Sequence, residues 1–202
     1  MKTRYLLLLL IVVGLSLPAT ATAQARHQRG SWYIGFGLGG ALAAQWDANG
    51  QTVSFDDWLD GYEKESRVSA NFKVGLTVSP KTLVGLDITG VAQSGSLNGL
   101  DATAQINNLF LMLTHFPNQE GFFVRAGGGV SKILRVVETP SGEVSSDASG
   151  SGVLAGIGYA FWLGKSFNLT VNLDQSFQWY SNDPGEPDRS QFTTLYVGFD
   201  WY

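Results

Sequence analysis

The sequence predicts an all-β fold: an eight-stranded antiparallel up-and-down transmembrane β-barrel preceded by a cleavable signal peptide. Three observations predict it. An export signal opens the chain, apolar residues recur with a period of two in eight separate runs, and the connections between those runs alternate between tight and long.

The export signal comes first. Lys2 and Arg4 give a positive start, Leu6 to Leu17 an apolar stretch of about a dozen residues, and Ala21-Thr22-Ala23 the small-residue cleavage pattern. That stretch is too short for a spanning helix, which needs roughly 20 apolar residues, and Pro18 ends it. Cleavage is expected after Ala23, with Ala25 as the alternative. Residues 1–23 are then signal, 24–30 a short periplasmic segment and 31–202 the barrel. The chain has no cysteine, which excludes a lipid anchor on a lipobox cysteine, disulfides and thiolate metal sites.

Composition narrows the class. Charged residues make up only 15% and aromatics 12%, unusual for a soluble enzyme of this size, yet no apolar run after the signal reaches the length of a membrane helix. The net charge of −4 argues against nucleic acid as a partner, because phosphate binding calls for a clustered basic face.

The strand signal is clearest from Phe167 to Phe177. Phe167, Leu169, Val171 and Leu173 fall on one face, and Asn168, Thr170, Asn172, Asp174 and Ser176 on the other. Arg67 to Val78 repeats the pattern. The remaining runs are Trp32 to Leu42, Leu83 to Val91, Ala104 to Phe116, Phe122 to Lys132, Val153 to Trp162 and Thr193 to Tyr202.

The connections give direction. Three are tight, at 79–82, 117–121 and 163–166, and four are read as long loops, at 43–66, 93–101, 133–150 and 181–190. Bacterial outer-membrane barrels place short turns in the periplasm and long loops outside. An even strand number then puts both termini in the periplasm.

A soluble eight-stranded binder of the lipocalin kind would alternate in the same way with its faces reversed. Its outer surface should be rich in Lys and Glu, whereas here the polar face carries mainly Gly, Ser, Thr and Asn, which suit a narrow interior. Aromatics gather near strand ends, at Trp32, Phe116, Phe122, Phe161, Trp162, Phe167, Trp179, Tyr180, Trp201 and Tyr202, as interfacial girdles require.

The C-terminus carries a family feature. Leu195, Val197, Phe199 and Trp201 hold the outward phase around Gly198, and Tyr202 is one residue beyond the usual terminal aromatic. This segment resembles the closing strand of outer-membrane proteins, and the resemblance implies that it is read by the barrel-assembly machinery. With strand number and loop asymmetry, the mature chain resembles the small-barrel superfamily of OmpA-like, OmpX-like and OmpW-like proteins.

Several motifs have plainer readings. Gly35, Gly37, Gly39 and Gly40 fit a dinucleotide-type glycine pattern, but Asn49-Gly50 cuts the helix that the pyrophosphate would require, so Gly35, Gly37 and Gly39 are read as inward positions on the first strand. Of the two histidines, His27 lies beside the cleavage site and His115 beside the second tight turn, followed by Phe116-Pro117. The His-x-Ser pairing of the lipid A deacylases and the G-x-S-x-G elbow are both missing, so no catalytic residue is expected. Asp183, Glu186 and Asp188 bring carboxylates close together, yet a solvated Pro-rich turn explains them and no metal or other cofactor is expected. Segment Ser54 to Tyr62 has a capping serine, early acids and Trp58 four residues before Tyr62, which predicts a short helix on the first external loop. An ordinary packed loop accounts for it more simply than a lip or plug.

The charges on polar faces are Lys73, Asp87, Arg125, Asp174 and Asp200. Strand parity across the first tight turn sets Lys73 opposite or diagonal to Asp87, and these two are expected to form an ion pair. Arg125 should reach a carboxylate of another strand, giving a cross-lumen network that plugs the barrel. The expected function is that of a non-enzymatic outer-membrane protein of a Gram-negative-type bacterium, serving envelope integrity or surface contact through four external loops. The expected partners are outer-membrane lipid, lipopolysaccharide, the barrel-assembly machinery and periplasmic chaperones; the external ligand is not specified. The OmpW-like resemblance implies an alternative, a narrow channel for small hydrophobic molecules, and an enzyme acting on lipid A is the remaining reading.

Overall fold

Antiparallel pairing between chain neighbours runs from the first strand to the last, and the last pairs with the first. The computed structural model describes residues 29–181 and 186–202, so the expected signal sequence and His27 lie outside the described residues. The elements are β1 (Trp32–Ala48), β2 (Gln51–Ser54), α1 (Phe55–Trp58), β3 (Glu63–Lys64), β4 (Val68–Ser79), β5 (Thr82–Leu97), β6 (Leu100–His115), β7 (Gly121–Thr139), β8 (Gly142–Trp162), β9 (Phe167–Tyr180) and β10 (Arg189–Trp201). Eight long strands form the wall in the order β10-β9-β8-β7-β6-β5-β4-β1, closed by β10 on β1. The short β2 lies on β1 and β3 on β5.

The closed ring follows from two-faced strands in which the polar face is the inner one. Leu38 is 68% exposed and Leu111 60%, while Asn168, Thr170 and Asn172 are 0% exposed. Water would drive the opposite arrangement, so this wall is built for an apolar surround.

Closure is strongly staggered. Followed through the registers, the inward row that starts at Tyr33 passes Gly75, Gly85, Met112, Gly127, Leu154, Ser176 and Phe192, and returns to β1 at Ala44. A climb from position 33 to position 44 in one circuit includes the register shift between Ala41 and Ala43. Such a stagger tilts the strands and leaves an eight-stranded interior just wide enough for side chains.

Two segments expected to be long loops are strand. Residues 93–101 continue β5 and β6 to a two-residue turn at Asn98 (φ 54°) and Gly99 (φ 79°), and residues 133–150 continue β7 and β8 to Thr139 and Gly142. Past the apolar belt the outward positions become polar (Ser94, Ser96, Asp101, Ser145, Asp147 and Ser149) while inward ones such as Ile133 and Ala148 stay buried, so the period-two apolar signal fades as the backbone ladder goes on. Asn98-Gly99 is a two-residue hairpin signal of the kind that allows φ > 0 at both positions. Segment 43–66 holds the rest of β1, a turn at Asn49 (φ 52°) and Gly50 (φ 76°), then β2, α1 and β3.

Candidate functional site

Inward positions fill the barrel in layers, and each layer has its own chemistry. At the end where β1 begins and β10 ends, Tyr33, Leu83, Phe116, Phe123 and Ala160 form an apolar layer, with Tyr202 packed against it. Phe116 and Phe123 sit 5.1 Å apart, and Tyr202 lies 6.1 Å from Tyr33 and 5.6 Å from Trp162. The Arg29 guanidinium stacks 3.6 Å over the Phe116 ring and donates to the carbonyls of Pro80 (2.9 Å) and Gln119 (2.6 Å), tying two turns together.

Charge occupies the middle. Lys73, Asp87, Arg125, Asp174 and Asp200 are all buried and face the lumen. Lys73 and Asp87 are direct register partners, as the parity argument places them, but the expected ion pair between them is corrected. The Lys73 ammonium lies 3.2 Å from Asp200, and Asp87 instead holds the Arg125 guanidinium. Arg125 Nε also lies 3.6 Å from Asp174. Stagger explains the exchange, since it brings β7 and β10 side chains across the lumen to strands that are not their neighbours.

Tyr196 completes the cluster and was missed in the sequence. Its hydroxyl accepts from Arg125 Nη1 (3.2 Å) and donates to Asp174 (2.9 Å), while its ring lies 5.8 Å from the Lys73 ammonium. The signal was available, because Tyr196 shares the inward phase of β10 with Asp200. Two cations thus face three carboxylates and a phenol, and this pairing offsets the cost of burying each charge. Glycines make the room. A Cβ on Gly156 would collide with the Asp174 carboxylate, and one on Gly35 with Asp200. The dinucleotide-like glycines are therefore packing positions of the first strand.

The hairpin end is apolar again. Ala41, Ala44, Val91, Ala104, Ile106 and Ile133 line it, and Phe55 of α1 is fully buried among them. Ser54 caps α1 by accepting from the Asp57 amide at 3.0 Å, as the capping pattern predicts. Trp46 contacts Phe55 at 5.4 Å and Trp58 at 5.9 Å, so this segment sits inside the mouth as a plug and not as a surface loop.

The aromatic girdle needs a second correction. Nearness to strand ends places Phe116, Trp162, Tyr180 and Tyr202 in it, yet they sit on inward phases. The outward set at the terminus end is Trp32, Phe122, Phe161, Phe167 and Trp201, with Phe167 and Phe199 stacked at 5.8 Å. In the closing strand, Leu195, Val197, Phe199 and Trp201 keep one phase, while Gly198 and Asp200 keep the other.

The remaining candidates are dispersed. His115 Nδ1 lies 3.2 Å from Thr82 Oγ1 beside the tight turns, at the opposite end from the long hairpins. Of the acidic turn, Asp183 lies outside the described residues. Glu186 is taken by Arg135 at 2.5 Å, and Asp188 donates its amide to the Asp47 carbonyl at 2.8 Å. A shallow groove of about 330 Å³ on the outer wall is lined by Val68, Ala70, Phe72, Ile88 and Gly90, but the β4–β5 and β5–β6 ladders run unbroken beneath it.

No protein-family model and no curated protein sequence matches the chain. Solved structures do. The attachment invasion locus protein Ail of Yersinia pestis, in complex with the heparin analogue sucrose octasulfate, aligns with a TM-score of 0.56 and 12% identity, over 86% of this chain and 100% of that one. Neisserial surface protein A aligns with a TM-score of 0.52 and 10% identity, over 85% and 97%. At these identities the likeness is one of fold: the chain has the closed barrel of the small outer-membrane proteins.

Proposed function

We propose that this chain is a non-enzymatic outer-membrane protein whose lumen is closed, and that it serves envelope integrity or surface contact through its external hairpins. The observation that carries this reading is the stack of three layers, apolar, charged and apolar, that fills the interior from Tyr202 to Phe55. A hydrated ion would have to displace the Arg125–Asp87–Asp174 cluster and two apolar plugs, each far costlier than diffusion through an open pore. The apolar belt supports placement in the outer membrane, and strand pairing sets the long hairpins at the end opposite the termini, which is the external end if both termini are periplasmic.

The OmpW-like channel is the weaker reading, because an exit through the wall needs a gap and the ladders under the outer groove are continuous. Single-channel recording in a planar bilayer tests the closed lumen. The intact chain should show little conductance, and Arg125→Ala should show little as well, because both apolar layers remain. Large, steady, porin-like conductance from the intact chain would refute the reading.

A further inference from the structure

We propose that the hairpin end of the barrel is a blind binding cup for a small molecule with an aromatic or branched aliphatic body and one hydrogen-bonding group. The chain fills this cup with its own Phe55. The segment 51–65 then acts as a displaceable lid, and the inference stands apart from the closed-lumen reading.

The walls suit such a guest. Ala41, Ala44 and Ala104 bring only methyl groups to the buried apolar cluster that holds Phe55, together with Val91, Ile106 and Ile133, and Trp46 lies edge-on to the Phe55 ring at 5.4 Å. Leu59, also fully buried, fills the neighbouring space beside Gly95. With the lid withdrawn, this cluster would line an apolar cavity, and dry apolar cavities of that kind take up benzene-sized molecules.

The floor supplies the polar contact. One inward position below Ile106, Asn108 is buried, and neither its amide nitrogen nor its amide oxygen has a partner among the described residues. Its register partner on β7 is Ser131, whose hydroxyl reaches Tyr180 at 3.4 Å. A buried amide with both atoms free is costly unless water or a ligand group meets it. A guest whose ring replaces Phe55 and whose hydroxyl meets Asn108 satisfies both halves of the cup.

The lid is held lightly. The helix α1 spans four residues and β3 two; β2 anchors one end of the segment on β1 over four register pairs, and the other end meets β5 at Glu63↔Ser96, Lys64↔Gly95 and the Glu65 amide to the Ser94 carbonyl (2.9 Å). Its latch is Asp56, which accepts from Gln93 Nε2 at 3.0 Å and lies 3.3 Å from the Arg67 guanidinium, with the Asp56 side chain 49% exposed. Exposed polar latches and short elements mark the parts of a fold that open at least cost. The walls, by contrast, are continuous barrel strands.

The experiment uses the mature chain in phosphatidylcholine nanodiscs with 4-fluorophenol as the probe, followed by ¹⁹F NMR against empty discs. The chain has no native cysteine, so Glu63→Cys with Ser96→Cys, on facing antiparallel positions within disulfide reach, locks the lid when oxidised. The unlocked chain should bind the probe saturably, oxidation of the double variant should weaken binding by about tenfold or more, and reduction should restore it. Arg67→Ala, which removes one arm of the latch, should tighten binding severalfold. Absence of saturable binding by the unlocked chain, equal binding by the oxidised and reduced double variant, or unchanged affinity in Arg67→Ala would each overturn the proposal.

Discussion

Lys73 and Asp87 face each other in register across the first tight turn, yet each finds its ionic partner elsewhere: Lys73 on Asp200, 3.2 Å away, and Asp87 on Arg125. The cluster is thus held by contacts across the lumen, and Arg125 is its hub because it meets Asp87, Asp174 and Tyr196 together.

Removing the hub should therefore be worse than removing an edge. Arg125→Ala leaves two buried carboxylates without their cation and should cost about 3–5 kcal/mol, read as a lower urea midpoint of the refolded barrel by tryptophan fluorescence. Adding Asp87→Asn and Asp174→Asn should recover part of the loss, since the uncompensated charges are then gone. An equal midpoint for Arg125→Ala and the intact chain would remove the hub from the account.

Glycine positions on the inner and outer faces of the wall should differ sharply in tolerance. A methyl group at Gly156 meets the Asp174 carboxylate, whereas at Gly40 its nearest neighbour is the Arg67 carbonyl at 3.4 Å. Gly156→Ala should destabilise by roughly 1–3 kcal/mol, as overpacking does, and Gly40→Ala should change little. Thermal loss of the compact, unboiled gel band compares the two.

At the C-terminus, two truncations should separate assembly from plugging. Deleting Phe199 to Tyr202 removes outward aromatics and the last rungs of the β1–β10 seam, so levels of inserted, heat-modifiable protein should fall sharply. Deleting Tyr202 alone leaves Trp201 in place and removes an inward ring of the terminal plug and one backbone hydrogen bond, to the Ser166 carbonyl, so insertion should persist with a weakened closure. Identical insertion of both truncations would contradict this division.

The turn at Asn98-Gly99 should be sensitive to side chains that resist positive φ. Gly99→Val forces a branched residue into the left-handed region at φ 79° and should cost on the order of 1–2 kcal/mol. Because this hairpin stands beyond the apolar belt, hydrogen exchange at Ser96 and Asp101 should rise while β4 and β9 stay protected. Uniform protection in both proteins would show the turn to be unstrained.

Phase along each strand was legible in the sequence, and it determined the eight-stranded barrel, its polar interior and the five lumen charges, because successive side chains on a strand must alternate between wall faces. The Ser54 cap of α1 was legible for the same local reason. So, in principle, were the Asn98-Gly99 turn and the inward phases of Phe116, Trp162 and Tyr202, which nearness to strand ends obscured. What only the tertiary structure decided is who meets whom across the interior. A register climb from Tyr33 to Ala44 in one circuit sets the Lys73 ammonium beside Asp200 and Arg125 beside Asp87, and it gathers the alanines of the hairpin end around which Phe55 is buried. Alternation is a property of each strand alone, whereas stagger is a property of the closed ring, and no single run of residues carries it.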